Sequence, residues 1–235
     1  MSKRISHSWL DPWLGPPLKN LYHVLPIPRG FPPEGIILVG HLLAILAAIG
    51  FAHSTSRWWG GLLVTLGVMG NHTADCLDGT HARATGQCRN GGELLDHFTD
   101  PLSFAYWLVG LALSCQQPYW GLVAVICLYA TAVLTNIKAK MIGEFTLTQF
   151  GPTEFKTLLS IYGLALTVML FSGSGAVAAE TVARCFFGTL IVFGVVQLTV
   201  NLWLAIRQVN QHGVPPDTSE WVTTESNSDS DRVKL

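Results

Sequence analysis

Four aspartates stand close together in a chain that carries few charges: Asp75 and Asp78, then Asp96 and Asp100. On a helix, residues three or four apart share a face. Asp75, Asp78 and Ala82 therefore line one face of one helix, and Gly92, Asp96 and Asp100 line one face of the next. The eight residues Ala84 to Gly91 between them predict a tight helical hairpin in which the two acidic faces meet. Clustered carboxylates at the edge of a bilayer repel one another and persist only with counter-charge. An all-oxygen donor set favours a hard cation such as Mg²⁺, Mn²⁺ or Ca²⁺ over Zn²⁺. Four carboxylates have room for two ions about 4 Å apart, the arrangement that clamps attacking and leaving oxygens in phosphoryl transfer. Gly79, Ala82 and Gly92 remove side-chain bulk, so a flat or phosphorylated ligand can approach the backbone. Arg83 adds a planar fork of donors for phosphate oxygens. Together these residues point to a diphosphate substrate. Acids at helix ends on a solvated loop would explain any one aspartate, but not four on two converging faces.

The elements that must hold these residues are apolar. Of 235 residues, 49% are hydrophobic and only 12% charged, about half the charged share of a soluble domain; the mean hydropathy is +0.39. Six stretches, roughly 35–53, 58–77, 93–115, 119–137, 157–173 and 181–206, approach or exceed the roughly 20 residues that cross a bilayer. The fold expected is all-α and polytopic, with six transmembrane helices. The organisation expected is an interfacial N-terminal segment over 1–33, a six-helix domain over 34–207 and a disordered polar tail over 208–235. The first segment mixes Trp9, Trp13, Leu14 and Tyr22 with prolines and charge, as headgroup-level segments do, and has no early apolar run of the signal-peptide kind. With the N-terminus inside, the inner segments hold Lys3, Arg4, Lys19, Arg29, Arg83, Arg89, Lys138, Lys140, Lys156, Arg207, Arg232 and Lys234, whereas the outer ones hold only Arg57 and Arg184. That 12-to-2 split follows the positive-inside rule and places the aspartates on the cytoplasmic side. The net charge of −1 offers no field for nucleic acid. The five cysteines, an odd number without a C-x-x-C, read as small buried thiols.

The pattern D-x2-D-G-x2-A-R-x8-G-x3-D-x3-D resembles the signature of the CDP-alcohol phosphotransferase (phosphatidyltransferase) family. Asp75, Asp78, Gly79, Ala82, Arg83, Gly92, Asp96 and Asp100 match its fixed positions. The resemblance implies Mg²⁺- or Mn²⁺-dependent transfer of a substituted phosphate from a CDP-alcohol to an acceptor hydroxyl, with release of CMP, by a membrane protein that is commonly a homodimer. It implies metal binding by Asp75, Asp78 and Asp96, and a metal-ligand or general-base role for Asp100. It assigns Gly79, Ala82, Arg83 and Gly92 to the CDP pocket. More narrowly, Gly92-Glu93-Leu94-Leu95-Asp96-His97 is similar to a segment of choline/ethanolamine phosphotransferases in which the histidine is a proposed base. Gly151-Pro152-Thr153-Glu154 is similar to a further segment of that group. Pro32-Pro33-Glu34-Gly35 departs from the family's usual Pro-Asn before the first helix.

The function expected is head-group transfer from CDP-choline or CDP-ethanolamine to a lipid hydroxyl; the alternative is phosphatidyl transfer from CDP-diacylglycerol to a small polar alcohol. A divalent-cation transporter is a remote alternative, since Arg83 beside the acids would repel a passing cation and transport sites favour mid-membrane broken helices. His72, His81 and His97 lack the spacing of a zinc motif. Lys138, Lys140 and Lys156 read either as phosphate ligands or as positive-inside anchors. Glu154 could orient a substrate group, and Gln197 and Asn201 read as interhelical hydrogen bonds. The Gly-Ser-Gly at 173–175 reads as a turn.

Overall fold

Glycine and proline punctuate this chain where helices must start and stop. Prolines open three of its long helices, where the missing N–H has no helical partner to lose: α2 (Pro33–His53), α5 (Pro118–Ile142) and α6 (Pro152–Phe171). Glycines with positive φ end α3 (Trp58–Thr85) at Gly86 and α5 at Gly143, a conformation that costs a residue with a Cβ. α4 (Asn90–Ser114) and α7 (Ala176–His212) complete the set, and α1 (Asp11–Asn20) is a short helix near the N-terminus. The structure, a computed structural model, describes residues 3–147, 150–173, 175–215 and 218–219.

Among the described residues the chain is all-α apart from one small ribbon. β1 (Lys3–Ser6) pairs in parallel with β2 (Glu144–Leu147), Lys3 opposite Glu144. Sequence reading placed residues 1–33 at the headgroups and did not foresee this pairing, because four-residue strands joined across most of the chain leave no local periodicity. Among the described residues four helices, α2, α5, α6 and α7, are long and apolar enough to cross a membrane. α3 and α4 fall short on composition, because they carry the acidic residues and Arg83. The hairpin between them is tighter than Ala84 to Gly91 suggested: only Gly86–Arg89 separates the two helices. α7 runs to His212, past the boundary at 207 that the polar composition implied, and of the expected tail over 208–235 only 208–215 and 218–219 fall within the described residues.

The least apolar pair sits at the centre. α3 packs on α2 and α6, α4 packs on α2 and α5, and α7 lies mainly along α5. Close crossings rest on glycine. A Cβ at Gly61 would lie 2.3 Å from the Gly163 carbonyl oxygen, and one at Gly110 would lie 2.5 Å from that of Ala48. Such small-residue contacts take the place of hydrophobic collapse where the surroundings are as apolar as the helices. Hydrogen bonds lock the same seams: buried Trp107 donates its indole N–H to the Ala44 carbonyl at 2.9 Å, and the Thr65 hydroxyl donates to the Ser160 carbonyl. Val64, Phe51, Leu111, Leu159, Leu166 and Phe187 fill the interior.

Candidate active site

The α3–α4 hairpin delivers the acidic residues to one place. α3 presents Asp75 and Asp78, and α4 presents Asp96 and Asp100, and all four line a single small cavity of about 20 Å³. One oxygen from each of Asp75, Asp78 and Asp96 lies within 4.8 Å of the other two. Asp78 is the most enclosed, at 7% exposure. Hard cations sit about 2.0–2.6 Å from oxygen ligands, so ligand oxygens on opposite sides of one ion are about 4–5 Å apart. The spacing of the carboxylate triplet therefore fits a divalent cation.

Asp100 departs from this triplet. Its Oδ1 faces the Lys156 ammonium at 3.4 Å, and the same ammonium donates to Asp75 Oδ2 at 2.9 Å. Lys156 is fully buried, with its Nζ 5.5 Å from the Phe104 ring centroid. A charge so enclosed is stable only when paired and hydrogen-bonded, and two carboxylates from two helices supply that. Oxygens of Asp75, Asp78 and Asp96 thus converge, while the lysine from α6 pairs with both Asp75 and Asp100. Sequence reading gave Lys156 only a peripheral place. A lysine near the start of an apolar helix cannot be told from a positive-inside anchor until the helices are packed.

The glycine gap and Arg83 are adjacent as well. The position of a Cβ on Gly79 lies 3.2 Å from Arg83 Nη1, so the exposed guanidinium lies over bare backbone beside Asp78. Ala82 is half-buried on the same helix. At Gly92 a Cβ would have only Glu34 Oε1 nearby, at 3.7 Å, and Arg89 stands 3.8 Å from that carboxylate. The start of α2, where Glu34 breaks the expected Pro-Asn, therefore borders the gap.

His97 lies to one side of the triplet. Its Nε2 is 3.9 Å from Glu93 Oε1 and its ring packs on Phe145 of β2, centroids 5.2 Å apart. It shares with Asp100 the rim of a second, larger cavity of about 290 Å³, walled by Phe104, Leu128, Phe155 and Leu190. Asp100 is the residue common to both cavities.

The other residues singled out from sequence have structural partners. Glu154 accepts from the Gly151 N–H, the Ser8 hydroxyl and the Leu10 N–H, so it ties the N-terminal segment to the start of α6. Asp11 accepts from Thr153 beside it. Both ring nitrogens of buried His81 are engaged, by the Tyr22 hydroxyl and the Phe31 carbonyl, which removes it from any zinc set. His72 Nδ1 stands 3.9 Å from Asp75 Oδ2. Gln197 donates to the Phe150 carbonyl, and with Asn201 it lines the larger cavity. All five cysteines are free thiols.

Known proteins share this arrangement of sequence. The family model described as CDP-alcohol phosphatidyltransferase matches residues 33–205. The chain is 29% identical to cholinephosphotransferase 1 of Bos taurus, an alignment covering 53% of this chain and 37% of that protein. It is 30% identical to phosphatidylinositol phosphate synthase of Mycolicibacterium smegmatis, covering 47% and 50%. It is 34% identical to archaetidylinositol phosphate synthase of Pyrococcus horikoshii, covering 36% and 43%. The chain thus spans half or less of the length of these relatives. With the matched region running from the first residue of α2 almost to the end of α7, and with the acidic hairpin at its centre, the chain belongs to the CDP-alcohol phosphatidyltransferase family.

Proposed function

We propose that this protein transfers a phospho-alcohol group, of the choline or ethanolamine type, from a CDP-alcohol to a lipid hydroxyl and releases CMP. The observation that carries the reading is the carboxylate triplet of Asp75, Asp78 and Asp96 beside the open backbone at Gly79 and the Arg83 fork. In this reading α2 to α7 all cross the membrane, and the α3–α4 hairpin faces the cytoplasm.

Asp75, Asp78 and Asp96 would hold Mg²⁺ or Mn²⁺, which neutralises diphosphate charge and the charge developing on the leaving CMP. Asp100 completes the acidic wall, where the family pattern implies two ions. Arg83 donates to the diphosphate, while Gly79, Ala82 and Gly92 leave room for the nucleotide. The acceptor oxygen forms a bond to the β-phosphorus as the bond from that phosphorus to the CMP oxygen breaks. Asp100 or His97 takes the hydroxyl proton. Both residues border the larger apolar cavity, so a lipid hydroxyl entering from the bilayer would meet a base there. Homodimerisation belongs to the same reading, through the family.

Phosphatidyl transfer from CDP-diacylglycerol to a small polar alcohol is the second reading. It is favoured by the similarity to the inositol phosphate synthases, and the apolar cavity would then hold the donor's acyl chains. Purified full-length protein, supplied with CDP-ethanolamine or CDP-choline and diacylglycerol, or with CDP-diacylglycerol and polar alcohols, separates the two. Metal-dependent CMP release only in the first set is expected. Release only in the second reverses the direction, and release in neither, or release unaffected by EDTA, rejects the proposal.

A further inference from the structure

The polar face of α3 does not end at Asp75. Asn71 lies one turn deeper, and 71, 75 and 78 recur at the i, i+4, i+7 spacing of a single helical face. Asn71 is 6% exposed and lines the same cavity of about 20 Å³ as the four aspartates. Its amide nitrogen donates to the Gly40 carbonyl of α2 at 3.1 Å. That bond sets the orientation of the amide, because the opposite orientation would press two acceptor oxygens together. The carbonyl oxygen Oδ1 is buried and has no hydrogen-bond partner among the described residues.

A buried acceptor without a partner is rare, because it has given up its water for nothing. Here the remedy lies in the cavity itself. A space of 20 Å³ exceeds the roughly 10–15 Å³ that one water-sized occupant needs. Four carboxylates and the Asn71 amide oxygen line it, together with His41, Thr99 and Ser103; the Thr99 hydroxyl donates to the Asp96 carbonyl, the Ser103 hydroxyl to the Thr99 carbonyl, and the nearby Lys156 ammonium to Asp75 and Asp100. A further acceptor would be repelled there, whereas a hard cation takes carboxylate and amide oxygens alike.

We infer that Asn71 supplies a neutral oxygen ligand at the inner, membrane-side end of the cation site. The inference rests on the metal-dependent reading above and extends it to a residue outside the signature pattern. Being uncharged, Asn71 adds a ligand without adding to the repulsion among the carboxylates. Its tie to Gly40 also couples the site to α2.

The test is Mn²⁺ binding by the full chain in detergent, followed by loss of the EPR signal of free Mn²⁺. Asn71→Leu removes both the oxygen and the bond to Gly40; Asn71→Asp removes the bond but keeps an oxygen at the site. The expected result is affinity weakened about ten-fold or more in Asn71→Leu, and equal to or tighter than wild type in Asn71→Asp. Unchanged affinity in Asn71→Leu, or equal weakening in both variants, overturns the inference and leaves Asn71 as a link to Gly40 alone. Should Asn71→Leu fail to fold, Asn71→Asp still decides, since weakened binding there overturns the assignment and retained binding supports it. Wild type and Asp78→Asn run alongside. Mn²⁺ bound by wild type and lost in Asp78→Asn upholds the metal reading whatever Asn71 does, and no binding by wild type removes both.

Discussion

Lys156 is the residue on which the charge balance of the site turns. Its ammonium has no access to solvent and answers two carboxylates, Asp75 and Asp100. Replacing it with methionine keeps the length of the side chain but leaves those carboxylates facing each other without a counter-charge. Breaking a buried pair in this way costs about 3–5 kcal/mol, somewhat less here because both acids keep about a third of their exposure. A lowered melting temperature of Lys156→Met in detergent, partly restored by Mn²⁺, is the expected outcome; an unchanged melting temperature would show that the pair contributes little. Asp96 is different, because its carboxylate belongs to the triplet and not to the lysine. Asp96→Asn should keep the fold and lose about 100-fold or more in CMP release, since removing a ligand removes metal-derived stabilisation of several kcal/mol. Near-normal turnover in that variant would refute the metal role. The aspartates, Gly79 and Arg83 were legible in the sequence because spacing alone puts them on shared faces. Lys156 was not, because its partners come from two other helices.

The helices hold the site through close backbone contact. α3 and α6 meet where a Cβ on Gly61 would strike the Gly163 carbonyl and the Thr167 backbone, and this seam sets the depth at which Lys156 meets Asp75. Gly61→Leu would force the two helices apart. Overpacking of this kind costs about 1–3 kcal/mol, and it should weaken Mn²⁺ binding as well as thermal stability. Loss of stability with binding intact would show that the seam does not position the site. The start of α6 carries a second constraint, because Glu154 gathers donors from Ser8, Leu10 and Gly151. Glu154→Ala releases the N-terminal segment, and limited proteolysis should then cut before Asp11 faster than in wild type. An unchanged cleavage rate would assign the anchoring to the β1–β2 ribbon and the Asp11–Thr153 contact instead. Helix positions and approximate ends were readable from apolar runs, Gly and Pro. The ribbon was not, because its strands pair across most of the chain.

As a whole, the protein keeps the acidic cluster and Lys156 inside and turns many large apolar residues outward. Val192, Val196, Trp203 and Ile206 of α7 and Leu122, Ile126 and Val133 of α5 are exposed, as expected for helices facing lipid in an integral membrane protein. The proposed topology, six crossings with both termini inside, can be tested directly. Cys88, exposed in the loop between α3 and α4, should react with a membrane-impermeant maleimide only from the cytoplasmic face. A cysteine placed at exposed Ser56, between α2 and α3, should react only from the other. Labelling of both from one side would mean that α3 does not cross.

What the linear chain settles is the local part of the problem. Helical spacing aligns Asp75 with Asp78 and Asp96 with Asp100, apolar runs mark the helices, and Gly or Pro ends them, because each of these depends on neighbours within a turn or two. What folding settles is which distant groups meet. It sends Asp75 and Asp100 to Lys156 while Asp75, Asp78 and Asp96 converge, ties Glu154 to the N-terminal segment, and places Asn71 on the wall of the acidic cavity. No local pattern encodes those meetings, since they arise from the depth and rotation at which glycine-lined helices pack.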